Sequence, residues 1–239
     1  MLKRVVLNRR RPDLSLAQFG THWRDAHGPL LAGIPDYHDF VSRYLQDHVG
    51  ATAPFGRAFD YDGITEIWQK RADALERSFA TTAAYREHVM PDELRFADRG
   101  GAIAFFSRET AGWGVPRGAK LIVLVSRDGG VSDADFAAAL GGWFNTLAQL
   151  DGVAGAVLDT ILAETIVSLD GGEPAERFTF MLSVWCVAEA CDAVAASVGR
   201  HVAVAPFHHP ASVVAGYFEE VEFFDERPTD AVLTTKAPA

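Results

Sequence analysis

Apolar positions along this chain follow two rhythms, a strand-like alternation and a helical three-to-four spacing, which take turns in a fixed order. Leu2–Arg9, centred on Val5-Val6-Leu7, reads as a first strand, and Pro12-Asp13 breaks it. Leu16, Phe19, Trp23 and Leu30 recur at helical spacing and predict a buried stripe. Ser15 with Gln18 three later predicts a capping box at the helix start, and Gly28-Pro29 predicts its stop. Phe40–Val49 and Tyr61–Trp68 read as the second and third strands, with Ile64, Glu66 and Trp68 on one face. Residues 71–98 are mostly helical, with Leu75, Phe79, Tyr85 and Val89 inward and a break at Pro91. Gly101–Ser107 is a fourth strand. The order β-α-β-β-α-β is that of a ferredoxin-like unit.

The order then repeats after a Gly- and Pro-rich stretch, 110–118, read as a linker. Leu121–Val125 is a strand. Ser132–Asp135 opens a helix carrying Phe136, Leu140 and Trp143. Val153–Leu169 holds a strand and a loop, and Phe178–Trp185 is a strand. Ala188–Val204 is a helix, Val213–Phe224 a strand and Asp225–Ala239 a polar tail. Adding 117 turns Phe19 into Phe136, Trp68 into Trp185 and Phe106 into Phe223, so three aromatics in three elements keep one register. The predicted fold class is α+β: two tandem ferredoxin-like units, residues 1–109 and 119–227, with a tail at 228–239. The same offset sends His22 to Ala139, His27 to Phe144 and His88 to Ala205. The second unit reads as scaffold, and chemistry is expected in the first.

Composition narrows the function classes. A net charge of −10 argues against nucleic acid, whose phosphates need a basic surface. With 49% apolar residues the chain can bury a large core, yet it has no run long enough to span a membrane. The N-terminus lacks the apolar core of a signal peptide. Cys186 and Cys191 make no disulfide framework and no strong metal motif, which suits a reduced, cytoplasmic protein. His208-His209-Pro210 reads as a solvated loop, so no metal is expected. No phosphate loop, nucleophile elbow or HExxH motif is present.

The first unit carries a polar set. His27 sits beside the stripe, one turn after Trp23, near the predicted helix end, where the macrodipole favours a protonated imidazole. His22 falls on the flank. Tyr85 and His88 are three apart on one helical face. His48 lies on the second strand. Glu66 lies on the third, and if buried it needs a partner.

Residues 2–107 resemble an EthD domain of the dimeric α/β-barrel superfamily. The likeness rests on Phe19, His22-Trp23, His27-Gly-Pro-Leu30, Gln46-Asp-His-Val49, Asp62-Gly-Ile-Thr-Glu-Ile-Trp68 and Phe96-Ala-Asp98. In that superfamily two units pair their sheets into a barrel, so the resemblance implies that the two halves here pair within one chain. It also implies a cofactor-independent enzyme of the cyclase, dehydratase, decarboxylase or isomerase type. Such an enzyme would act by proton transfer on a small aromatic or polyketide-like compound. His27, His88, Tyr85 and His22 would be catalytic. His48, Glu66, Trp23, Trp68 and Phe79 would bind substrate. Two other readings stay open. One is an oxidoreductase, either a cofactor-free monooxygenase or a haem enzyme using His201, His208 or His209. The other is a non-catalytic binder of hydrophobic ligands. A homodimer of the whole chain is a further expectation.

Overall fold

The computed structural model describes residues 1–50, 54, 59–127, 129–174, 177–202 and 213–227. Its first unit runs β1 (Leu2–Asn8), α1 (Leu16–His22), a widened π turn (Trp23–His27), α2 (Gly28–Ala32), α3 (Pro35–His38), β2 (Val41–Val49) and β3 (Gly63–Gln69). A second π turn (Tyr85–Val89), α4 (Met90–Phe96) and β4 (Ile103–Gly114) complete it. The second unit runs β5 (Ala119–Val125), α5 (Asp133–Leu147), β6 (Val153–Ile161), the short β7 (Val167–Ser168), β8 (Phe180–Cys186), α6 (Cys191–Val202) and β9 (Val213–Asp225).

Eight strands close into an antiparallel barrel in the order β1-β3-β2-β9-β5-β8-β6-β4, with β4 pairing back to β1. Each unit contributes four strands. The two seams are β2 with β9 and β4 with β6. The second strand of each unit therefore pairs with the last strand of the other, and the edges that would otherwise stay open are used up inside one chain.

Strand alternation sorts the side chains. Val5, Leu7, Ile64, Phe105, Ile122 and Leu124 pack together within the barrel. A buried charged network lies there as well. Lys3 pairs with Glu66 and, at 2.8 Å, with Asp159. Lys120 reaches Asp47 at 3.0 Å, Glu66 at 2.5 Å and Glu220 at 2.9 Å. Lys3 and Lys120 are themselves 117 apart. They lie over Trp68 and Trp185, at 5.0 and 5.1 Å from the ring centres. The register seen in three aromatics thus extends to a pair of buried ammonium groups. Burial pushes the Glu66 carboxyl up, but Lys120 and Lys3 outweigh it and hold Glu66 below the usual carboxylate range. Burial raises Asp159 to about 6 despite Lys3.

Several sequence expectations are corrected. Gly28-Pro29 does not end the helix: the chain stays helical to Ala32. The missing N–H of Pro29 is absorbed by the π turn, in which the Gly28 N–H reaches back to the Trp23 carbonyl. His27 is therefore inside a helical run rather than at a helix end, where the macrodipole would favour its protonated form. Pro91 is likewise not a break but the opening of α4, with a π turn just before it. Residues 71–82 form turns and one short 3-10 segment rather than a helix. Leu16 and Leu75, expected inward, are 42% and 43% exposed. The stretch read as a linker is strand through Gly114, because β4 continues across the seam to pair with β6. Residues 228–239 lie outside the described residues. Cys186 and Cys191 are free thiols, their sulfurs 3.3 Å apart. No helix among the described residues is long and apolar enough to cross a membrane.

Candidate active site in the cleft of the first unit

In the first unit the helices lie over the outer face of β1, β3 and β2, and a cleft of about 80 Å³ remains between the layers. The Ser15–Gln18 capping box starts α1 as the sequence predicts. It orients Phe19 and Trp23 inward; both are at most 1% exposed, and burying a side chain such as Phe19 is worth roughly 1.5–3 kcal/mol. Gly28 brings this helix close to the second unit: a Cβ there would lie 2.0 Å from the Phe223 ring. Phe223 in turn stacks on Tyr44 at 5.0 Å.

His27 lines the cleft and is 6% exposed. Its Nδ1 lies 3.0 Å from Asp92 Oδ2. Asp92 Oδ1 lies 3.0 Å from His22 Nε2. One carboxylate thus accepts from two imidazoles. The His27 bond, with burial opposing it and His22 adding to it, holds the Asp92 carboxyl below its usual value. With Nδ1–H spent on Asp92, the Nε2 lone pair of His27 makes no hydrogen bond among the described residues. This is the arrangement in which a carboxylate fixes the tautomer of a base.

Tyr85 also lines the cleft. Its hydroxyl donates to Glu93 at 2.6 Å and accepts from Arg99 at 2.8 Å, while Arg99 also pairs with Glu93. Burial, helped by Glu93, pushes the phenol up to about 12. Its proton is committed within the protein. His88, three residues later, is exposed and does not line the cleft. The π turn explains the separation, since the wider turn rotates positions 85 and 88 apart. His22 is half-buried behind the cleft wall, its ring 5.0 Å from that of Phe96, which lines the cleft, and its Nε2 on Asp92. His48 is under the same helix, 4.5 Å from the Trp23 ring, with Nε2 on Gln46 Oε1 at 3.0 Å. Burial drops it to about 4, so it is neutral at pH 7.

Trp23 and Phe79 line the cleft. Glu66 and Trp68 do not. They share one face of β3, as the alternation said, but it is the barrel face, where Glu66 holds both lysines and Trp68 Nε1 donates to Glu109 at 2.7 Å. The opposite face of β3 presents Thr65, Ile67 and Gln69 to the cleft.

Sequence reasoning missed Asp92, Asn8, Arg4, Tyr37 and Tyr44. Asn8 donates to Thr65 Oγ1 at 2.8 Å, and Tyr44 accepts from Gln46 at 2.7 Å. The alternation of β1 held a signal, since Arg4, Val6 and Asn8 must face away from Lys3, Val5 and Leu7. Asp92, directly after Pro91, lies in the first turn of α4, a position that a helix break at Pro91 would have left in a loop.

In the second unit the corresponding space is packed. Phe144, which stands where the first unit has His27, is 1% exposed among Phe136, Leu140, Trp143 and Leu147. The side chain of His201, and His208 and His209 altogether, lie outside the described residues.

A closed barrel of two ferredoxin-like units, each covered by helices, defines the class: a dimeric α/β-barrel architecture folded from one chain. Residues 11–100 match the EthD domain family, which places the likeness in the first unit. No curated protein matches the chain in sequence. Among solved structures, an anthrone oxidase-like protein superposes with a TM-score of 0.61 at 12% identity over 95% of each chain. A proposed monooxygenase from Fusobacterium nucleatum superposes at 0.50, with 8% identity over 92% of this chain and 91% of that one. A proposed chlorite dismutase gives 0.50, with 11% identity over 91% and 94%. At such identities the likeness is one of fold.

Proposed function

We propose that the protein is an enzyme that removes a proton from a small aromatic or polyketide-like compound held in the first cleft. The observation that carries this is His27: Nδ1 is fixed by Asp92, and Nε2 makes no hydrogen bond among the described residues, at an otherwise largely apolar space. His27 Nε2 takes the proton from an acidic C–H or phenolic O–H. The electron pair stays on the substrate as an enolate or phenolate, and the imidazolium is held by the Asp92 carboxylate. Asp92 and His22 act through His27, as positioning residues.

Two outcomes follow from that anion. Reprotonation elsewhere or loss of a leaving group gives an isomerase, cyclase or lyase. Attack on dioxygen gives an oxidoreductase. The second is favoured by the names of the superposable structures, an anthrone oxidase-like protein and a proposed monooxygenase. Both begin with the same deprotonation, and neither needs a bound cofactor for it.

The test is deuterium incorporation from D2O into enolisable phenolic compounds, followed by NMR, with oxygen uptake measured in parallel. Exchange should fall by about 10²–10⁴-fold in His27→Ala, the usual worth of a general base. Oxygen uptake that depends on His27 assigns the oxidoreductase outcome. Binding without any His27-dependent exchange would mark a carrier and sink the catalytic reading.

A further inference from the structure

Two polar groups of the cleft are used neither by the deprotonation step nor by a partner among the described residues. Tyr37, on α3, is 2% exposed and lines the cleft, and its hydroxyl is buried with no hydrogen-bond partner among the described residues. Burying a hydroxyl without a partner costs free energy, so a native protein that keeps one has a reason to. The surrounding rings of Tyr44, Phe79 and Phe224 would pack as well against phenylalanine. Arg4, on β1, also lines the cleft and is half-buried. Its guanidinium makes no ion pair and no side-chain hydrogen bond among the described residues. The other charged groups near the cleft are matched: Glu93 by Arg99, and Asp92 by the two histidines. What remains is one uncompensated guanidinium and one unsatisfied hydroxyl facing a space lined with aromatic rings.

We propose that Arg4 and Tyr37 form an oxyanion-recognition site, so that the cleft selects aromatic ligands bearing a carboxylate or a comparable oxyanion. An oxyanion satisfies both groups at once. It accepts from the guanidinium fork and from the Tyr37 O–H, in a setting where a charge-assisted bond is stronger than in water. The apolar lining takes the ring. The proposal rests on the functional reading only in placing the ligand in this cleft.

The test is binding, without turnover. Benzoate and its neutral analogue benzamide are titrated by NMR at pH 7 into the full-length protein and into Arg4→Met, Tyr37→Phe and His27→Ala. The wild type should prefer benzoate by about tenfold or more, the scale of one hydrogen bond to a charged group. Arg4→Met, which keeps the apolar stem, should abolish the preference. Tyr37→Phe should weaken benzoate binding yet raise the Tm of the unliganded protein, because the unsatisfied hydroxyl is gone; a merely structural tyrosine would lower both. His27→Ala should keep the preference. Equal affinity for the two probes, no binding of benzoate at all, or a preference that survives Arg4→Met overturns the proposal. If benzoate binds through Arg4 but no His27-dependent proton exchange is found, the catalytic reading fails and this one stands.

Discussion

Asp92 Oδ2 meets His27 Nδ1 at 3.0 Å although 65 residues separate them in the chain, and the same carboxylate holds His22 on its other oxygen. Because the bonds hold Asp92 below its ordinary value, the stability they add has a definite pH window. A depressed carboxylate contributes above its unfolded pKa, about 3.9, and loses the contribution as the pH falls through the lower folded value. Asp92→Asn should therefore cost about 1–2 kcal/mol in urea unfolding at pH 7, and the difference from wild type should shrink below about pH 4. A difference that grew on acidification would contradict the assignment.

His48 predicts an opposite substitution effect. Burial lowers it to about 4, so between its unfolded value near 6.5 and about 4 the unfolded chain binds a proton that the folded chain does not. The stability the neutral form confers is complete above about pH 6.5 and drains away as the pH drops to about 4. The ring is partly exposed, and after discounting for solvent we expect a change of about 1–2 kcal/mol across that window. His48→Gln should flatten it. Unfolding curves at pH 7, 5.5 and 4.5 measure the slope, and an unchanged slope would assign it to other groups.

The barrel network and its unmatched counterpart differ in what they tolerate. Lys120→Met leaves Asp47, Glu66 and Glu220 without their shared cation and should destabilise by about 3–5 kcal/mol. Ser183 stands 117 residues after Glu66, is 1% exposed, and its hydroxyl has no partner among the described residues. Ser183→Ala should be neutral or slightly stabilising. Thermal melts of the two variants decide this, and a large loss in Ser183→Ala would mean that its hydroxyl is satisfied in solution.

Gly28 and Phe223 test how the second unit supports the site. Gly28 has ordinary helical φ, so alanine would suit the backbone. Its Cβ, however, would overlap the Phe223 ring. Gly28→Ala should cost about 1–3 kcal/mol by overpacking. Phe223→Leu should recover part of that in the double variant, a positive coupling read by a double-mutant cycle. Additive losses would place the strain elsewhere.

Much of the architecture was legible from the sequence. Period-2 and helical spacing are local properties, so they revealed the order of elements. The 117-residue register revealed the duplication, since Phe19/Phe136 and Trp68/Trp185 keep equivalent places in the two units. The same offset showed that His27 has no polar counterpart, and Phe144 is packed into the core where one would stand. Local pattern also set which residues share a strand face.

Which side of the sheet each face meets was left to tertiary structure. Glu66 and Trp68 share a face, but only barrel closure made that face the interior, with two lysines contributed by β1 and β5. The helical runs continued past Gly28-Pro29 and into Pro91 because a π turn can absorb a missing donor, which composition alone does not disclose. The widened turn before Pro91 then parted His88 from Tyr85. Asp92, Arg4 and Tyr37 gained their meaning only when α3, α4 and β1 met around one cleft. A hydrogen bond or an unmatched charge is a relation between distant parts of the chain, and spacing along the sequence records only near ones.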